Sequence, residues 1–170
     1  TQELVKKYDI HVLPLTVHIG DQTYKDGESI TLEEMYQGVE KGGAFPTTSQ
    51  VNPQEFHDVY KKYLEEGYQI ISLHISSHLS GTMQSAEIAK DMLESEDITI
   101  IDSEGVSGVL FLSLVEAGEK IKEGKSYEEV IEAIEKTKKE VKLLVTFDTM
   151  EYLMKGGRIP KSVGAIGGFL

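Results

Sequence analysis

Cysteine is absent from the 170 residues, which excludes disulfides, thiol chemistry and cysteine-ligated zinc. Basic residues are scarce: 17 Lys and Arg stand against 29 Asp and Glu, a formal net charge of -12. Such a surface repels phosphate backbones and anionic headgroups, which argues against nucleic acid or a membrane surface as partner. No basic run exceeds Lys138-Lys139. Every apolar run is too short for a bilayer, and the first residues carry no signal-peptide pattern. A cytoplasmic protein without stable membrane insertion is therefore expected. Internal repeats and low-complexity linkers are also lacking.

What is present is a chain long enough for one full core, burying roughly 70% of its unfolded surface. Apolar, β-branched runs at residues 10–19, 68–75, 98–101 and 142–147 predict strands. The run Ile98-Thr99-Ile100-Ile101 is almost continuously apolar, as in strands buried on both faces. In the first run Pro14 cannot donate to a ladder, which predicts an edge or bulged strand, with Gly20-Asp21-Gln22 closing a hairpin through Thr23-Tyr24.

Helix punctuation separates these runs. Thr31 with Glu34, and Ser126 with Glu129, have capping-box spacing. Asn52-Pro53 sets a cap and a first-turn proline ahead of a helix that Gly67 ends. Residues 83–93 and 110–121 carry helical spacing, and a short helix over 149–155 stops at Gly156-Gly157 and Pro160. The Glu and Lys residues between Tyr127 and Val141 are expected to form a solvated helix face. The pattern predicts an α/β fold with a largely parallel sheet flanked by helices. One domain is expected over residues 1–160, with 161–170 starting a second. Residues 1–5 read as the inside of a helix and 163–170 as an interrupted apolar run, so a piece of a longer protein is expected.

Ligands of parallel sheets bind beyond the carboxyl ends of the strands. There the sequence places Ser76-Ser77-His78-Leu79-Ser80-Gly81-Thr82, between a strand run and a helix. Hydroxyls, free amides and the positive end of a helix dipole suit a small anion. The same signal fits plain helix capping, which requires one hydroxyl where this loop offers four. Neither this loop nor Pro46-Thr47-Thr48-Ser49-Gln50, which reads as a polar loop leading to the Asn52 cap, contains Lys or Arg, so a single weak charge such as a carboxylate fits better than a polyphosphate.

A hydrolytic Ser80 is the alternative, given His74 and His78 nearby, but Gly-x-Ser-x-Gly is absent and His74 falls within an apolar strand. A phosphoryl-transfer component binding phosphate at the same helix end is a further alternative. Asp102-Ser103 would cap a helix, close a turn or hold a metal or hydroxyl. Arg158, in Lys155-Gly156-Gly157-Arg158-Ile159-Pro160, is either an exposed residue at a helix stop or a cation aimed at an anion or partner.

Together, Phe45-Pro46-Thr47-Thr48-Ser49-Gln50, Ile75 through Ala86, Ile101-Asp102-Ser103 and Tyr152 through Ile159 resemble the DegV family, as does the early turn Tyr24-Lys25-Asp26-Gly27. The likeness spans essentially the whole chain. The resemblance implies a fatty acid-binding protein, without catalysis of its own, that holds a long acyl chain in a tunnel between two domains. It implies presentation of the acid to a fatty acid kinase, which makes acyl phosphate for phospholipid synthesis. It implies no cofactor beyond the bound fatty acid, and carboxylate ligands at Thr48, Ser80 and the Gly81 N–H, with Arg158 near the headgroup. His78 stands where that family commonly has glycine. The family's opening strand and second domain lie outside this sequence.

Overall fold

The computed structural model describes residues 2–40 and 43–160. The expected start of a second domain, residues 161–170, lies outside them. Helix α1 (Gln2–Tyr8) precedes a hairpin of β1 (Thr16–Ile19) and β2 (Gln22–Lys25), then α2 (Leu32–Glu40) and β3 (Thr47–Ser49). Next come α3 (Pro53–Glu65), β4 (Ile70–His74), α4 (Thr82–Leu93) and β5 (Ile98–Asp102). The remaining elements are α5 (Gly108–Lys122), α6 (Tyr127–Glu140) and α7 (Glu151–Lys155).

Local chemistry sets the helix starts as expected. Asn52 and Ser126 each complete a reciprocal capping box with Glu55 and Glu129, and Thr31 with Glu34 repeats the bonds. The ladders are less uniform than the composition suggests. β4 and β5 pair in parallel, from Ile70 opposite Ile98 to His74 opposite Asp102. The other sheet, ordered β2-β1-β3, is antiparallel throughout. A turn as short as Gly20-Asp21 can join only antiparallel neighbours.

Three expectations change. The first strand ladders only over Thr16–Ile19 and occupies the centre of its sheet, because Pro14 lies outside the ladder. Leu13 and Leu15 still pack on the core. The Thr47–Ser49 segment, expected as loop, is a strand on the free side of β1. Residues 142–147 form no strand: Leu144 is 93% exposed, and no described segment hydrogen-bonds alongside them. β-Branched composition favours an extended chain, but a ladder exists only where a neighbouring edge supplies donors and acceptors.

Strand alternation divides the core. Ile70, Ile98 and Ile100 face α3 and α4, packing with Phe56, Tyr60, Ala86 and Ala89. Ile71, Leu73 and Ile101 face the opposite way, onto Ala117, Val130 and Ile134 of α5 and α6. The solvated face of α6 has one exception. The Lys138 side chain is 8% exposed and pairs with Glu135 at 2.9 Å and Glu104 at 3.5 Å.

Candidate anion site at the head of α4

His74 and Asp102 are register partners at the carboxyl ends of β4 and β5, so both side chains lie on the α3 and α4 face. His74 is buried, 2.8 Å from the Ser72 hydroxyl through Nε2 and edge-on to Phe56. Tyr60 donates to that same Ser72 oxygen at 2.6 Å, which leaves the serine proton for the imidazole. Burial holds the imidazole at about 4, against a smaller upward pull from Asp102. His74 is thus a neutral core histidine.

Asp102 anchors the start of the loop after β4. Burial alone would raise its carboxyl, but bonds from Ser77 and the Glu104 amide, with Lys138 behind them, hold it below the usual carboxylate range. Its two oxygens accept the Ser77 N–H at 3.1 Å and the Glu104 N–H at 2.7 Å. It therefore closes a turn and staples the loop after β4 to the loop after β5.

The loop leading into α4 consumes its early amides internally. Leu79 and Ser80 N–H groups both reach the Ser76 carbonyl, and the Ser76 N–H reaches Gly105. Ser80 Oγ accepts from the Thr82 N–H at 3.3 Å and lies 2.8 Å from the Thr82 hydroxyl. The amides of Gly81, Met83 and Gln84 have no partner among the described residues. An open depression of about 370 Å³ covers this helix head, lined by Ser77, Ser80, Gly81, Met83, Gln84 and Glu87. Free amides and hydroxyls attract an anion, while Glu87 on the wall disfavours a heavily charged one.

Three chain segments far apart in sequence meet here. Arg158 Nε donates to the Leu79 carbonyl at 3.3 Å, and its Nη1 to Gly156 at 2.7 Å. Tyr152 of α7 stacks on Phe45 with ring centroids 6.0 Å apart, and Gln50 Nε2 donates to Ser85 Oγ of α4 at 2.9 Å. Ser80, Gly81 and Arg158 thus adjoin one another. Thr48 stands on exposed β3, outside the lining of the depression, opposite buried Val17 and on the strand face shared with Gln50.

Gln50 is the residue sequence reasoning passed over. It was visible only as one polar residue of a short segment, and its contact with α4 spans 35 residues of chain. Among the described residues no base for hydrolysis is assembled around Ser80. The hydroxyl's partners belong to Thr82, His74 Nε2 is taken by Ser72, and His78 is exposed. Among the described residues no three His, Asp or Glu side chains cluster to hold a metal, and no helix is long and apolar enough to cross a membrane.

The model of the DegV family, described as an uncharacterised protein family, matches residues 1–170. The chain belongs to the DegV family. It is 44% identical over 167 residues to a DegV domain-containing protein of Clostridium acetobutylicum, covering 98% of this chain and 60% of that protein. Among solved structures, it resembles a fatty acid-binding DegV-family protein from Thermus thermophilus, with a TM-score of 0.89 and 37% identity over 98% of this chain and 59% of the other. It also resembles the Streptococcus pneumoniae Fatty Acid Kinase (Fak) B3 protein loaded with linoleic acid. That match has a TM-score of 0.77 and 29% identity, covering 90% of this chain and 54% of that one. The chain thus spans about three-fifths of the length of these DegV relatives.

Proposed function

We propose that this DegV-family protein is a cytoplasmic fatty acid carrier, without a catalytic step of its own, that presents its ligand to a fatty acid kinase. The carboxylate sits at the head of α4, held by the hydroxyls of Ser80 and Thr48, the Gly81 N–H and the Arg158 guanidinium. The observation that carries this reading is the meeting of the Phe45–Gln50, Ser76–Thr82 and Tyr152–Arg158 segments around unpaired helix amides. The fatty acid-binding relatives of the same fold support the ligand class, and the pneumococcal kinase-associated relative supports the partner.

The energetics divide accordingly. Each buried methylene contributes about 0.8 kcal/mol, so the tail supplies affinity. A carboxylate left without donors would be costly to bury, so the hydroxyl and amide groups fix which end enters. Arg158 already lies on the Ser80 loop, where a modest turn of its side chain exchanges a carbonyl for the acid.

The test is lipid extraction from the intact protein followed by mass analysis, with binding to Ser80→Ala measured alongside. A free fatty acid is expected in the extract. The variant is expected to bind the acid about tenfold more weakly, as for one lost bond to a charged group. A lipid-free protein that binds fatty acids equally well with and without the Ser80 hydroxyl would refute the reading.

A further inference from the structure

We propose that Gln50 is a positioning residue for the headgroup site, setting the gap between the Thr48 hydroxyl on β3 and the Ser80–Gly81 donors at the head of α4. This rests on the reading that those groups hold a carboxylate. Gln50 follows β3 directly, and its Nε2 donates to Ser85 Oγ at 2.9 Å. Ser85 is 1% exposed on α4, and its hydroxyl has no other partner among the described residues. The bond is therefore the sole polar tie of a buried group, which makes it costly to break.

The same side chain also gauges the helix head. Gly81 has an ordinary right-handed φ of -78°, so its backbone does not need glycine. Space is taken up instead by Gln50: a Cβ there would collide with its amide oxygen and stand 3.0 Å from Cδ, so the amide would have to move. Ser85 lies one helical turn below Gly81, and its N–H donates to the Gly81 carbonyl at 3.2 Å. Gln50 thus touches α4 at two levels, which fixes both the distance and the rotation of the helix relative to β3. Thr48 is two residues back along the strand, on the same face and about 7 Å away. Only a neutral side chain suits the position, since a carboxylate beside the headgroup would repel the bound acid.

The experiment compares linoleate with linoleyl alcohol, which share a tail and differ in the head, on the intact protein. Gln50→Ala and Ser85→Ala are each expected to weaken acid binding about tenfold while the alcohol changes by less than about twofold. The double variant is expected to lose no more than either single one, because both remove the same bond. Gln50→Glu is expected to weaken acid binding further at neutral pH and to recover as the pH is lowered. Two results overturn the proposal alone: acid binding unchanged in both single variants, or acid and alcohol binding falling together, the mark of a merely structural role. Should the unsubstituted protein bind acid and alcohol alike, or Thr48→Ala and Ser80→Ala leave acid binding intact, the carboxylate reading falls and this proposal with it.

Discussion

Acidification offers a direct test of the core beneath the site. Folding holds the His74 imidazole at about 4, against an ordinary value of 6.5, chiefly by burial. The unfolded chain therefore takes up a proton that the folded protein refuses. Its contribution to stability is complete above pH 6.5, drains as the pH falls toward about 4, and stops changing once both states are protonated. The difference corresponds to about 3 kcal/mol, a large share of a typical domain's stability. Carboxyls held below their ordinary values, Asp102 and Glu55 among them, retain their stabilising contribution above those values of 3.8 and 4.5 and lose it only in more acidic solution. The window from pH 6.5 to 4.5 thus isolates the histidine from them. Urea unfolding across that window should show the unfolding free energy falling by about 1.2 kcal/mol per pH unit near its middle. His74→Gln keeps a polar partner for Ser72 but cannot titrate, and its curve should run flatter by that amount. Parallel curves for the two proteins would refute the assignment of His74 as a buried neutral group.

Two further outcomes test the packing around the site. Ser113 of α5 is fully buried and its hydroxyl has no partner among the described residues, so Ser113→Ala should raise stability by about 1 kcal/mol, seen as a higher urea midpoint at unchanged slope; a lower midpoint would mean that the hydroxyl has a partner. Gly81→Ala should push the Gln50 amide off Ser85 and cost about 1–3 kcal/mol, but much less in a Gln50→Ala background; fully additive losses would show that the two residues do not touch.

Much of the fold was legible because its signals are local. A capping box closes within four residues, so Asn52 with Glu55 and Ser126 with Glu129 could be read from spacing alone. The alternation of β5 is equally local, since a period of two sends Ile98 and Ile101 to opposite faces in any sheet that covers both. The donors proposed to hold an anion before α4 were also visible locally, because hydroxyls and the first amides of a helix follow from the loop's own residues.

Pairing and convergence were not legible in this way. Thr47–Ser49 reads as a polar loop until β1 supplies the other half of its ladder, and residues 142–147 read as a strand although no described segment hydrogen-bonds alongside them. Lys138 looks like one charge on a solvated face until the fold covers its side chain and Glu104 arrives from another loop to pair with it. Whether Gln50 reaches Ser85, or Arg158 the Leu79 carbonyl, depends on how elements tens of residues apart come to rest against one another. Short-range hydrogen bonding and side-chain periodicity therefore determined the helices, the buried strands and the donor groups of the loop before α4. Long-range packing decided which edges pair, which polar groups lose water, and which three segments stand around the helix head, because those outcomes depend on neighbours that no local stretch of sequence contains.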